Sequence, residues 1–157
     1  MPVYATAGSK LYIGDPITLD TAPLTAGDFS GAFVQIANCE NLGAVGDSSE
    51  SIDFDSIDAG RRFKARGIRD AGSMEVVCGI DYADPGQIAL LAAEKTPHNY
   101  QFRLVFNDAP PGGTPSTREF AAIVGSVSEA LDGANSVMKL SASLWVNSNV
   151  VRTNASA

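Results

Sequence analysis

The sequence predicts a mainly β domain: a β-sandwich or open barrel of about seven strands with one flanking α-helix. Period-two alternation of apolar and polar residues recurs in several short runs, which is the mark of half-buried strands. Only one segment has helical spacing together with its own start and stop signals. Clusters of Gly, Pro and Asn separate the runs, as turns require. The 157 residues fit a single domain, 1–157, long enough to bury a core without disulfides or metal.

Residues 9–13 read as a first strand, ended by Gly14, Asp15 and Pro16. Residues 14–32 hold two prolines and three glycines and read as a loop-rich insertion near the N-terminus. Residues 33–36 form a second β-like run, and Ser51, Ile52, Asp53, Phe54 and Asp55 then alternate at period two. From 55 to 72 the periodicity stops and charges crowd in, so this stretch reads as a long charged loop. Loops of that length in compact domains usually have a function. In residues 73–80 the strand pattern returns, with Met74, Val76, Cys78 and Ile80 on one face.

The helix spans about 84–95. Asp84 suits the N-cap, Pro85 stands where a missing N–H costs nothing, and Gln87 completes a capping-box spacing. Ile88, Leu91 and Ala92 form the stripe expected to lie against a sheet, and Lys95 and Pro97 end the run. An aromatic strand follows with Tyr100, Phe102, Leu104 and Phe106, then a wide turn over 107–117. Phe120, Ala122 and Val124 mark the next strand, and residues 131–135 a tight turn. Met138, Leu140, Ala142, Leu144 and Val146 mark the last strand. The polar C-terminal tail, 147–157, is expected to leave the core.

A composition of 45% hydrophobic and 18% charged residues excludes disorder. No apolar run approaches the ~20 residues of a membrane helix, so no membrane partner is expected. The first residues lack the basic-then-apolar order of a signal peptide, which points to a chain made in a cytoplasm. A disulfide between Cys39 and Cys78 is possible in principle, but a reducing compartment favours buried free thiols. With one histidine, His98, and no C-x-x-C pair, no metal site is expected.

Catalytic constellations are missing as well. His98 stands between Pro97 and Asn99 and reads as a solvated turn residue. Asp53 and Asp55 share a strand face but have no sugar-stacking aromatics beside them. Neither glycine cluster precedes a helix or carries the Lys-Ser/Thr of a phosphate loop, and there is no Gly-x-Ser-x-Gly elbow. The chain is expected to have no catalytic residues and no cofactor, and not to be an enzyme.

The net charge is −7, and its distribution is uneven. Glu40, Asp47, Glu50, Asp53, Asp55 and Asp58 precede a basic run of Arg61, Arg62, Lys64, Arg66 and Arg69. The run could be a solvated loop paired with its own neighbours, a nucleic-acid patch, or one half of a self-complementary surface between copies.

The order of these elements resembles the major tail tube proteins of long, flexible, non-contractile-tailed phages of siphovirus type. Four stretches carry the likeness: Glu50 to Asp58 leading into the charged run that ends Arg69-Asp70-Ala71-Gly72; the strand 73–80; Asp84-Pro85-Gly86-Gln87 opening an Ala/Leu-rich helix; and residues 100–146 with Phe106, Phe120 and Val124-Gly125-Ser126-Val127. The resemblance implies a structural subunit of the virion tail, in homohexameric rings that stack into a hollow tube. The lumen would hold the tape-measure protein and later conduct DNA during ejection without specific binding. Tail-tip initiator and tail terminator proteins would be the partners at the two ends. The resemblance assigns ring and subunit contacts to Arg61, Arg62, Lys64, Arg66, Arg69, Asp55 and Asp58. A hexameric ring would carry about −42 before counterions condense, which disfavours adhesion of DNA. Acidic candidates for the lumen wall are Asp53, Glu75, Asp81, Glu119 and Glu129. The alternatives are a tube protein of a contractile tail or secretion system, a single-ring tail-completion or head–tail connector protein, and a small hydrolase using Asp53 and Asp55.

Overall fold

The computed structural model describes residues 2–157, which form ten strands and one α-helix. Eight strands make one antiparallel sheet in the order β2-β1-β7-β8-β9-β6-β3, with β10 beside β8. They are β1 (Lys10–Pro16), β2 (Val34–Ile36), β3 (Cys39–Asn41), β6 (Ser73–Gly79), β7 (Tyr100–Val105), β8 (Thr117–Ala130), β9 (Lys139–Val146) and β10 (Val151–Thr153). The other two, β4 (Ser48–Ser56) and β5 (Arg61–Asp70), pair only with each other.

The edges of the large sheet are β2 and β3, yet only Ala37 and Asn38 separate these strands in the chain. The two edges must therefore lie close together, and the sheet curls round its own core as a partly open barrel. Asn38 sits at φ 61, the left-handed conformation that Asn tolerates better than most residues, at this crossing point.

Alternation along the strands fills the inside of the curl with Leu11, Ile13, Ile36, Met74, Val76, Cys78, Phe102, Leu104, Phe120, Val124, Leu140 and Leu144. Phe102 and Phe120 are cross-strand partners whose rings stack at 5.7 Å. Strand faces and core therefore follow the sequence pattern closely.

The helix α1 (Pro85–Glu94) packs against β8, β2 and β1. Asp84 caps it by accepting from the Gln87 amide at 3.0 Å. The buried face is not the expected Ile88–Leu91–Ala92 stripe. It is Gly86, Gln87, Leu90 and Ala93, and Ile88 is 52% exposed. The cause is hydrogen bonding. Gln87 does not complete a capping box; its Oε1 accepts from the Asp81 amide, while its Nε2 donates to the carbonyls of Ala37 and Gly79. Asp84 Oδ2 also accepts from the Ala37 amide at 3.1 Å. Two buried polar side chains thus tie the helix start to the chain just after both β2 and β6, and this sets the rotation of the helix.

That closeness leaves no room at Gly86, where a Cβ would collide with the Gln35 carbonyl oxygen. Gly→Ala in an exposed helix stabilises by up to about 1 kcal/mol. Here the sign should reverse: Gly86→Ala is expected to cost about 1–3 kcal/mol, read as a fall of roughly 3–10 °C in the thermal midpoint.

The insertion after β1 folds back over the outer face of β1 and β7. Phe33 packs against the Arg103 guanidinium, 4.0 Å from ring centroid to Cζ. Leu24 exchanges two hydrogen bonds with the Asn149 side chain, at 2.8 and 2.9 Å. The C-terminal tail contributes no buried core residue, yet it stays on the body. After Ser148 receives the Ala121 amide, residues 151–153 return as β10 along the start of β8. A polar strand needs only backbone partners there, so hydropathy carries no sign of it.

Candidate assembly surfaces

The stretch expected as a charged loop is mostly strand. β4 and β5 form a long hairpin arm, closed by a turn at 57–60 in which Gly60 sits at φ +58. Its register pairs Ile52 with Ala65, Asp53 with Lys64, Phe54 with Phe63 and Asp55 with Arg62. Because side chains alternate across a ribbon, the arm has two unlike faces. One carries Ser51, Asp53, Asp55, Arg62, Lys64 and Arg66. The other carries Ile52, Phe54, Phe63 and Ala65.

The charged face is partly neutralised within itself. Arg62 holds Asp55 with two bonds, Nε to Oδ1 at 2.6 Å and Nη2 to Oδ2 at 3.0 Å. Its guanidinium holds the Asp55 carboxyl below the usual carboxylate range. At the root of the arm, Arg69 pairs with Asp47 at 2.9 Å. Arg61, Lys64 and Arg66 take part in no ion pair among the described residues, and Asp58 lies exposed in the turn.

The apolar face has no cover among the described residues. Ile52 is 57% exposed, Phe54 67% and Phe63 49%. Isolated two-stranded hairpins are marginal in water, and contiguous exposed apolar surface marks an interaction site. The period-two pattern was present in Arg62-Phe63-Lys64-Ala65-Arg66, but charge density masked it.

The five acidic candidates for a lumen wall do not come together. Asp53 is on the arm and accepts from Ser51 Oγ at 2.6 Å. Asp81 lies in the turn before α1 and accepts from the Ala83 amide. Glu129 is the cross-strand partner of Leu140, so it projects from the core side of β8, beyond the buried cluster. Glu119 offers no free charge: Arg103 reaches its Oε2 at 2.8 and 3.0 Å, and its side chain is only 7% exposed.

Glu75 stands on the outer face of the β6-β9-β8 sheet without an ion-pair partner, where it accepts from Ser143 Oγ at 2.8 Å, whereas Glu119 on the same face of β8 is taken up by Arg103. The register places Ser73, Glu75 and Val77 of β6 beside Trp145, Ser143 and Ser141 of β9. Ser143 and Ser141 in turn face Ser126 and Ser128 of β8. The result is an open lane of small hydroxyls with a single carboxylate. A bulge at Gly125 lets Trp145 lie flat over β8, since a Cβ there would run into the indole. The paired Ser-x-Ser steps were the available sequence signal for this lane. Among the described residues no three His, Cys, Asp or Glu side chains gather as a metal site would require.

No family model and no curated protein matches the sequence, but several solved structures match its fold. Those matched include chains of tail tubes and of a contractile injection system. A chain of the SPP1 tail tube aligns over 97% of this chain and 80% of its own, with TM-score 0.67 and 17% identity. A chain from the tail of an empty gene transfer agent particle, refined with C6 symmetry, aligns over 79% and 88%, with TM-score 0.62 and 18% identity. A chain from the sheath/tube terminator of the PVC extracellular contractile injection system aligns over 98% and 97%, with TM-score 0.69 and 12% identity. The chain described here has the tail-tube fold.

Proposed function

We propose that the protein is the structural subunit of a phage tail tube, and that it assembles as stacked rings round a lumen that passes DNA. The observation that carries this reading is the arm. A body with the tube fold projects a ribbon whose apolar face needs a neighbour and whose charged face keeps Lys64 and Arg66 unpaired, with Arg61 unpaired at the turn end of the apolar face. A second copy supplies both an apolar surface and acidic side chains, since the chain carries 18 acidic against 11 basic residues. Six copies per ring agree with the C6 symmetry of the gene transfer agent tail. The hydroxyl lane of β6, β9 and β8 is the part of the outer sheet face that the N-terminal insertion leaves open, and it is assigned here to the lumen. Tape-measure, tip and terminator proteins are the further partners this reading implies, and the virion tail its location.

The likeness to the contractile system favours a second reading, a tube that carries a sheath. Recovery of a sheath protein with intact tails would select it.

The test is electron microscopy and sedimentation of the purified protein at rising concentration, beside a variant with Arg61, Arg62 and Lys64 all changed to Glu. Hollow tubes of uniform width are expected from the parent chain, and subunits of native circular dichroism that do not assemble from the variant. A parent chain that stays monomeric and is also missing from purified tails would overturn the reading.

A further inference from the structure

The geometry points to Cys39 and Cys78 as a paired modification site: thiols in a reducing compartment, and an intramolecular disulfide once the protein meets an oxidising medium. The two residues are direct cross-strand partners of β3 and β6. Opposed residues in antiparallel pairs have Cα atoms about 4.5–5.5 Å apart, inside the range a disulfide spans. Both are free thiols, with sulfurs at 3.0 Å, so closure to about 2.05 Å needs little backbone movement.

Their environments divide the work. Cys78 belongs to the core and is 1% exposed, so a soluble oxidant does not reach it. Cys39 is half-buried at the edge of the sheet. The neighbouring Cys78 thiol, hydrogen-bonded to it, pulls the Cys39 thiol below its ordinary range, while that bond and burial push Cys78 up. Cys39 is thus the thiol that attacks, and Cys78 the one that resolves.

With a low-molecular-weight disulfide such as oxidised glutathione as oxidant, the Cys39 thiolate attacks one glutathione sulfur. The S–S bond breaks and the first glutathione thiolate leaves. Cys78 then gives up its proton and attacks Cys39 Sγ, expelling the second glutathione. Two protein thiols are oxidised, one glutathione disulfide is reduced to two thiols, and the two protons end on them.

The bond would fix a three-residue edge strand, held otherwise by a short ladder and the Lys139–Glu40 pair at 2.8 Å, to a central part of the body. Residues 42–47 connect that strand directly to the arm. Oxidation would therefore stiffen the arm's root after assembled particles leave the cell. That timing rests on the tail-tube reading, whereas the thiol chemistry does not.

The test titrates the full-length chain with mixtures of oxidised and reduced glutathione, followed by alkylation and mass spectrometry. Both thiols are expected to disappear in one step, with peptides holding Cys39 and Cys78 cross-linked within one chain. The thermal midpoint should rise by roughly 5–10 °C over the reduced form. Cys78→Ala should stop at a glutathione adduct on Cys39, and Cys39→Ala should leave Cys78 unreactive. Two free thiols under excess oxidised glutathione, a parent chain that stops at the Cys39 adduct, or disulfides between chains would each overturn the inference. Since the readout is thiol content, its failure is separate from any failure to form tubes.

Discussion

Replacing Phe54 and Phe63 together by serine is expected to abolish tube formation and leave the subunit folded. Both rings lie on the arm, outside the buried cluster of the body, and stay half to two-thirds exposed in the free chain. Their contribution to the isolated subunit is one cross-strand pair, roughly 0.2–1 kcal/mol. In the proposed assembly the same rings would be covered, and full burial of a Phe side chain contributes about 1.5–3 kcal/mol. Losing about 3 kcal/mol from each contact lowers each association constant by roughly 100-fold. A ring closes only when every contact forms, so the deficit compounds. Sedimentation velocity should show a single slow species at concentrations where the parent chain forms tubes, with the unfolding midpoint lowered by no more than about 4 °C. Tubes of normal length from the double variant would remove the arm from the assembly surface.

The parts of the fold that rest on burial were legible in the sequence, because burial writes a period. Met74, Val76 and Cys78, or Leu140, Ala142 and Leu144, are one face of a strand and were readable as such. The start of the helix was legible in Asp84 and Pro85 for a local reason, the capping of free amides. Its rotation was not. Gln87 is buried to bond chain ends brought in from 37 and 79, and no local pattern announces partners fifty and eight residues away. The arm was half legible: β4 alternates plainly, whereas the basic run of β5 resembles the composition of a solvated loop. Glu119 shows the same limit for the site. Alone it reads as a free surface acid, and only the β7–β8 register brings Arg103 opposite to it. A carboxylate counted from the sequence is thus not yet a charge in a lumen.

Five free carboxylates per subunit would have made a strongly repulsive wall. The open lane instead offers Ser73, Ser126, Ser128, Ser141 and Ser143 with Glu75 as its one unpaired acid, and Lys139 on the same face of β9 is held by Glu40 at 2.8 Å. Short hydroxyls present no cation to displace phosphate counterions, so a duplex gains little by touching them. In the proposed tube, a lumen lined by this lane would pass DNA by having little to hold it, with a modest negative bias from Glu75.

Such a lane is sensitive to added positive charge. Ser126→Lys with Ser141→Lys should leave tubes intact and convert a passive bore into one that retains DNA. Both positions lie on the outer face, Ser126 exposed and Ser141 half-buried at the surface, so the lysines can extend into solvent with little effect on the core. If six copies line each ring, two substitutions add about twelve cations per ring, against one duplex charge per about 1.7 Å of helix axis. Tubes of the variant should trap short duplexes in nuclease-protected form at about 50 mM salt. With six to ten phosphate contacts, affinity should fall by roughly 10³–10⁵ by 200 mM, and parent tubes should trap none at either salt. Glu129→Lys is the matched control, since Glu129 projects from the opposite face of β8. Protection by the Glu129 variant, with none by the serine variants, would place the lane on the outside of the tube and the other face toward the bore.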